Sequence, residues 1–263
     1  MQLSIIIVNY NGLRFFKDCL DSIFNNLKDV QFEIIIWDNN STDDSCNYIK
    51  SNFKNVKLIE SKINLGFGKG NNEAIKHSKG KYILLLNNDT ILLEDISGLI
   101  YFMEQNQDIG ALGINMLNDK REYLNAAGNF PNIFNLFKMR FSFYINNEFK
   151  KGKFKKNFYE VDWLAGSFIL MPRIVFEEIN GFDQDYFLYV EDVDLCKRIR
   201  KKNYRVIFIP SLSYIHFVGF NKSKNRFLID GYRIFIAKHY SGYYRLFCNL
   251  ALSVNSFIKK VKL

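Results

Sequence analysis

Leu3-Ser4-Ile5-Ile6-Ile7-Val8-Asn9-Tyr10-Asn11-Gly12 decides the architecture. Residues 3–8 are continuously apolar rather than alternating, the pattern of a strand covered on both faces. The run then stops in a polar, turn-forming tetrapeptide. The same grammar recurs three times. Residues 32–37 lead into Asp38-Asn39-Asn40-Ser41-Thr42-Asp43, residues 56–60 precede Asn64-Leu65-Gly66-Phe67-Gly68-Lys69-Gly70-Asn71-Asn72, and residues 82–86 lead into Asn87-Asn88-Asp89. Between the first two strands Phe15, Cys19, Leu20, Ile23, Phe24 and Leu27 recur at helical spacing. Strand and helix in alternation predict an α/β fold, a parallel sheet with helices on both faces. Ligands of such sheets bind beyond the carboxyl ends of the strands. Four Asn/Asp/Gly-rich segments therefore converge on one edge.

The second half is less regular. Residues 161–171 read as a strand, 191–202 as a helix, and 204–209 and 212–216 as two strands separated by Pro210. Leu246, Leu250, Val254, Phe257, Ile258 and Val261 mark one face of a last helix, which runs into Lys259, Lys260 and Lys262. Residues 130–157 are aromatic and basic with little periodicity, and read as a mobile or acceptor-facing insert.

With 263 residues, 48% of them apolar, the chain can bury one sizeable core. No apolar run approaches the roughly 20 residues that span a bilayer, and the N-terminus has no signal-peptide pattern, so a cytoplasmic location is expected. Cys19, Cys46, Cys196 and Cys248 form no C-x-x-C pair, which argues against a zinc cluster or disulfide framework and for buried thiols. The net charge of +9 is uneven: residues 195–263 carry +14 and residues 1–194 carry −5. A basic last quarter suggests an anionic partner; nucleic acid, anionic lipid and diphosphate groups all fit.

Several residues combine chemistry with position. Asp38, at the end of the second strand, suits hydrogen bonds to a nucleotide's base or ribose, or an Asx-turn with Ser41 or Thr42 capping the next helix. No G-x-G-x-x-G follows the first strand, which pushes NAD and FAD down sharply. Gly66-x-Gly68-x-Gly70 allows close backbone approach to a phosphate or sugar, or simply opens a helix. Asp89 suits a hard divalent cation bridging a diphosphate, or a turn. Glu191 and Asp192 open a helix whose later turns carry Arg198, Arg200, Lys201 and Lys202. Dipole complementarity explains that layout, but not the aromatic Tyr186, Phe187 and Tyr189 that precede it. Aromatic shielding raises a carboxylate's pKa towards what a general base needs. His216 follows an apolar strand and gains meaning only beside the other motifs.

Together these segments, with Trp163-Leu164-Ala165-Gly166 and Gly181-Phe182-Asp183 running to Arg198, resemble the family 2 nucleotide-sugar glycosyltransferases, especially the rhamnosyltransferase-like branch. The likeness spans residues 3–223. It implies a GT-A fold, a mixed and mostly parallel sheet between helices, occupying residues 1–223. Residues 1–115 would form its donor half and 116–223 its acceptor and catalytic half, with residues 224–263 as a basic, aromatic-rich helical C-terminal extension. The resemblance assigns Asn9, Asn11, Asp38, Asn64, Gly66, Gly68, Asn71, Asn88 and Gly166 to the donor. It gives Asp89 and His216 to a divalent metal (Mg²⁺ or Mn²⁺), and makes Asp192 the base, with Glu191 beside it. One departure is that Asn87 stands at the first acidic position of the metal motif.

The implied reaction is inverting transfer of a sugar, dTDP-rhamnose leading among dTDP- or UDP-linked donors, to a glycan hydroxyl in bacterial surface polysaccharide (O-antigen or capsule) synthesis. A polyprenyl-diphosphate-linked acceptor is expected, and the C-terminal segment would touch an anionic membrane, pack onto the domain or form a homodimer seam. Three rivals carry less. A non-catalytic nucleotide-sugar binding module sits poorly with Asp89, Glu191 and Asp192 together. A nucleic-acid-binding protein lacks any recognition motif, and a sugar nucleotidyltransferase lacks a Gly-rich activating loop after the first strand.

Overall fold

The computed structural model describes residues 1–217 and 224–261. The part of the His216 segment at 218–223, the side chains of Lys259, Lys260 and Val261, and Lys262 lie outside the described residues.

The first half forms as its pattern dictates. β1 (Leu3–Asn9), α1 (Leu13–Asn26), β2 (Phe32–Asp38), α2 (Ser45–Asn52), β3 (Val56–Glu60), α3 (Phe67–Ile75) and β4 (Tyr82–Leu86) follow in turn. Then come β5 (Thr90–Leu92), α4 (Ser97–Gln105), β6 (Ile109–Leu117), β7 (Tyr123–Leu124), β8 (Ala127–Gly128) and α5 (Ile133–Phe137). A 3-10 turn (Met139–Phe143) and α6 (Asn147–Lys151) lead to β9 (Tyr159–Glu160), β10 (Trp163–Leu164), β11 (Phe168–Pro172) and α7 (Arg173–Glu178). α8 (Glu191–Lys201), β12 (Arg205–His216), α9 (Lys224–His239) and α10 (Gly242–Val261) complete the chain.

The main sheet runs β3-β2-β1-β4-β11-β6-β12-β5. β1 pairs in parallel with both β2 and β4, β12 is parallel to β6, and β11 inserts antiparallel between β4 and β6. The result is a mixed, mostly parallel sheet. Ile5, Ile6, Ile7, Ile35, Ile36, Leu84 and Leu85 are fully inaccessible, which is why these strands read as continuous apolar runs. β1 lies between β2 and β4, so the strand order reverses there and a crevice opens at their carboxyl ends, beside Asn9 and Asn87.

Four expectations are corrected. Residues 161–171 are not one strand: β10 pairs with β8 in a small second sheet, β11 joins the main one, and the chain turns between them at Ala165-Gly166-Ser167. Apolar continuity cannot reveal such a turn, which is fixed by Ala165 N–H donating to the Ala126 carbonyl at 2.8 Å and Phe168 N–H to the Ala165 carbonyl at 3.2 Å. Pro210 does not split β12; the strand continues past it with a shift of register between Ile209 and Ser213, where the missing N–H is tolerated as a bulge.

Residues 130–157 are not a mobile insert but a packed one. Asn132 and Asn135 form a reciprocal cap on α5, and the buried Phe149 ring sits 5.1 Å from Phe154 and 5.2 Å from both Tyr159 and Phe208. Finally, α10 packs by a different face from the one its apolar periodicity marks: Cys248, Ala251, Leu252 and Asn255 are buried, while Leu246, Leu250, Phe257 and Ile258 are exposed. α9 and α10 share the main core through Phe235, Ile236, Cys248 and Leu252.

Candidate active site

The parallel register of β1 and β2 sets Asn9 opposite Asp38 at the strands' carboxyl ends. Asn9 is fully buried, and its Nδ2 lies 2.6 Å from Asp38 Oδ1, 2.9 Å from Ser45 Oγ and 3.0 Å from Ser41 Oγ. Asn9 Oδ1 accepts from Asn88 Nδ2 at 2.8 Å, which ties the β1 edge to the turn after β4. Asp38 Oδ2 accepts the Ser41 N–H at 2.8 Å, an Asx-turn, and neither Ser41 nor Thr42 caps α2, whose cap is Asp44.

Asn11, in a left-handed conformation at φ 55°, donates its N–H to Ser41 Oγ and accepts the Thr42 N–H at 2.7 Å. Asp43 anchors the start of α1 by accepting the Leu13 N–H at 3.0 Å. Burial opposes its charge, but the Ser45 hydroxyl and backbone N–H donors outweigh it and hold the carboxyl below the usual range. The role of Asn39 went unread: it is buried, accepts from Trp37 Nε1 at 3.1 Å and donates to the Gly66 carbonyl at 2.9 Å. Only its place in the Asp38-Asn39-Asn40 run signals it.

The glycine segment clamps rather than cradles. Asn64 Oδ1 accepts the Gly66 N–H at 2.9 Å, and Gly66 itself sits at φ 79°. A Cβ there would lie 2.2 Å from the Phe187 carbonyl oxygen, to which the Phe67 N–H donates at 3.0 Å. Gly68 lets α3 approach Phe182. Asn71 is buried and bonds inside its own helix, to the Phe67 carbonyl at 3.0 Å. Asn72 exchanges two hydrogen bonds with the Phe182 backbone, both 2.8 Å. The segment thus fixes the loop that delivers the acid pair.

That loop is strained. Tyr189 and Val190, which immediately precede α8, stand at φ 71° and 73°. Left-handed backbone costs an ordinary residue about 1–2 kcal/mol, and a β-branched one is an outlier there. Val190 is buried, and Gly231 of α9 packs so close that a Cβ on it would lie 2.5 Å from the Tyr189 carbonyl oxygen. The two adjacent αL residues turn α8 so that Asp192 faces a cavity of about 520 Å³, shared with Phe67, Trp163, Gly166, His216 and Tyr232.

Asp192 Oδ2 accepts the Gly166 N–H at 2.9 Å, and Oδ1 accepts the Val193 N–H at 2.8 Å. Burial pushes its carboxyl up, and the two N–H bonds restrain the rise. Glu191 is more deeply buried, and its Oε2 has no hydrogen-bond partner. Burial first, and the neighbouring Asp192 charge second, push it up well beyond the usual carboxylate range. Two adjacent acids rarely ionise together in so dry a place. The N–H donors that favour a charged carboxylate stand at Asp192, while Glu191 Oε2 has none.

Asp194, two residues further on and so turned to the other side of the helix, is fully buried and paired twice, with Arg198 Nε at 2.7 Å and His239 Nε2 at 2.7 Å. Burial opposes its charge, but His239 and Arg198 prevail and lower its pKa. Arg198 in turn donates to the Ile179 and Gly181 carbonyls at 2.7 Å. The acid helix is thereby tied to the 179–181 turn and to the end of α9. The Asp194–Arg198 spacing of four was visible in the sequence; His239 was not.

Asp89 and His216 meet across the β5–β12 pair, with His216 Nε2 3.2 Å from Asp89 Oδ1. Asp89 Oδ1 and His216 Nδ1 are both buried without a hydrogen bond. Asn87 Nδ2 lies 3.4 Å from His216 Nε2. An orphaned carboxylate oxygen beside an imidazole fits a divalent cation that completes its shell with diphosphate and water. Among the described residues no group of three or more His, Cys, Asp or Glu gathers to hold a metal by protein ligands alone.

Gly166, Glu191, Asp192 and His216 thus line one cavity together with Asn87. Asn9, Asn11, Asp38 and Asn88 form one hydrogen-bonded cluster joined to that cavity through the Asn87–Asn88 turn. Asn64, Gly66 and Gly68 hold the connecting loop.

The chain matches the family described as Glycosyl transferase family 2 over residues 4–179, and the N-terminal domain of galactosyltransferase over residues 149–220. Rhamnosyltransferase WbbL of Escherichia coli (strain K12) is 32% identical over 229 residues, 81% of this chain and 82% of its own. N-acetylglucosaminyl-diphospho-decaprenol L-rhamnosyltransferase of Mycobacterium tuberculosis (strain ATCC 25618 / H37Rv) is 25% identical over 235 residues, 81% and 76% of the two chains. Among solved structures, mannosyltransferase PcManGT from Pyrobaculum calidifontis, in complex with GDP-Man and Mn²⁺, superimposes with a TM-score of 0.64 at 15% identity, covering 99% of this chain and 75% of that one. GalNAc-T7 with UDP, GalNAc and Mn²⁺ gives a TM-score of 0.69 at 15% identity, covering 89% and 47%. These superpositions show the GT-A fold, and the sequence matches show that the chain belongs to glycosyltransferase family 2, with rhamnosyltransferases among its relatives.

Proposed function

We propose that the chain transfers a sugar, rhamnose from a dTDP-linked donor being the leading case, to a hydroxyl of a lipid-diphosphate-linked glycan, with inversion at the anomeric carbon. The observation that carries this reading is Asp192: a carboxylate with a raised pKa, fixed by the Gly166 N–H and facing an otherwise mostly apolar cavity. The rhamnosyltransferase relatives support the sugar, and the decaprenol-linked relative supports the acceptor class.

In this reading the Asn9–Asp38 cluster binds the nucleotide, and Gly166 borders the donor sugar. Asp192 accepts the proton of the acceptor hydroxyl as that oxygen bonds to the anomeric carbon, and the carbon–diphosphate bond breaks on the opposite face. Protonated Glu191 keeps the neighbouring position uncharged. Asp89 and His216, with Asn87, would hold Mg²⁺ or Mn²⁺, which when bound offsets charge on the leaving diphosphate. Residues 1–115 form the donor half and 116–223 the acceptor and catalytic half. The acceptor of such a reaction is met at the surface of a bilayer.

The test is product analysis: purified chain, dTDP-rhamnose and a short-chain lipid-diphosphate glycan, with the new linkage read by NMR. Inverted linkage supports the reading; retained configuration, or transfer by Asp192→Asn at the rate of the unaltered chain, overturns it.

A further inference from the structure

The last helix carries a surface that the cavity does not use. α10 lies against α5 and α9, burying Cys248, Ala251, Leu252 and Asn255, and Asn255 Nδ2 donates to the Phe137 carbonyl at 2.6 Å. Its other side presents Tyr243, Leu246, Phe247, Leu250, Phe257 and Ile258 to solvent, with Leu246 61% and Phe257 69% exposed. Steps of three and four residues keep these side chains in one stripe along a 20-residue helix about 30 Å long. α5 adds Phe134, 81% exposed. An apolar strip of this length on a water-facing helix marks an interaction surface.

Its charge says which kind. α10 contains no Asp or Glu, Arg245 is exposed on it, and the chain from Leu195 onward carries +14. The 3-10 turn after α5 exposes Lys138, Arg140 and Phe141, and also contains no acid. Among the described residues no helix is long and apolar enough to cross a membrane. A helix with an apolar stripe, a cationic flank and too little hydrophobicity to span has the make-up of one that lies in the plane of a lipid interface.

We propose that the exposed stripe of α10 seats the protein on an anionic bilayer surface. Arg140 and Phe143, in the 3-10 turn that packs on α5 as α10 does, also line the cavity at Asp192. The seat's purpose rests on the lipid-linked acceptor reading, while the binding itself is a property of the stripe.

The test uses the full chain and vesicles of equal parts phosphatidylglycerol and phosphatidylcholine, beside vesicles of phosphatidylcholine alone. Flotation with the anionic vesicles is expected, weakened at least tenfold by Leu246→Ser/Leu250→Ser/Phe257→Ser, and weaker on the neutral vesicles. Because all three positions are exposed, the variant should melt with the unaltered chain and transfer equally to a water-soluble acceptor. Equal flotation of variant and unaltered chain overturns the seat, as does no flotation of either. So does sedimentation showing a dimer that the triple variant dissociates and that vesicles leave intact, since the stripe would then be covered by a second copy. Flotation without any sugar transfer would sink the catalytic reading and leave the seat standing.

Discussion

The two sides of the crevice are built on opposite principles. On the Asn9–Asp38 side both side-chain oxygens of the aspartate are engaged, Asn9 touches four partners, and the geometry rests on strand register. On the Asp192 side two residues stand in left-handed backbone, a buried carboxylate oxygen of Glu191 has no partner, and both acids are pushed above their ordinary range. A saturated network costs little to maintain and holds a shape, as recognition requires. A strained, under-bonded one holds a proton affinity, as proton transfer requires. The sheet stabilises the first, and the packing of α3 and α9 stabilises the second.

The contrast is broken most severely at Asp192. Asp192→Asn should lower kcat by about 10²- to 10⁴-fold while the thermal shift produced by a nucleotide-sugar donor stays as it was. Loss of both would erase the division between the two sides. Next in size is the support behind the acid helix. Asp194→Asn leaves Arg198 and His239 without their buried partner and should cost about 3–5 kcal/mol of stability, read by chemical denaturation. A cost near zero would mean that the acid helix does not need its tie to α9.

On the opposite side, Asn9→Ala should remove about 1–3 kcal/mol and weaken donor binding in titration calorimetry, with kcat at saturating donor little changed. A large fall in kcat would show that the network does more than recognise. The smallest effect concerns pH. A carboxyl whose pKa is raised by folding contributes stability below its unfolded value that is lost as pH rises through the folded one. Glu191→Gln should therefore flatten the decline of Tm between about pH 4.5 and about pH 8. The acid limb of kcat, set by Asp192, should fall at a higher pH than an ordinary aspartate would give. An unchanged Tm profile would mean that Glu191 is already ionised.

Legibility follows the same line. Asn9, Asp38 and Asp89 were readable because each directly follows an apolar strand, and parallel sheets gather such positions at one edge. Glu191 and Asp192 stood out together by the aromatic run before them, and only the family resemblance singled out Asp192. The rest is tertiary. No sequence signal marks Tyr189 and Val190 as left-handed, since neither is a Gly or Asn, and the conformation follows from Gly66 and Gly231 packing on that loop. The turn at Gly166 was hidden inside an apolar run because hydrophobicity reports burial and not chain direction. Likewise, α10 packs by its small residues Cys248 and Ala251 and leaves its larger apolar ones outside, the reverse of what periodicity alone suggests.

The pairing of His239 with Asp194 also has a consequence in time. The chain is made from its N-terminus, and His239, a partner of the fully buried Asp194 carboxylate, lies 45 residues downstream of it. While α8 is being made, the sheet's β1–β4 edge and the Asn9–Asp38 cluster already have all their partners, whereas Asp194 still lacks His239. A chain still being made therefore completes the Asn9–Asp38 network before Asp194 meets His239, so the tie between α8 and α9 closes only once α9 is finished.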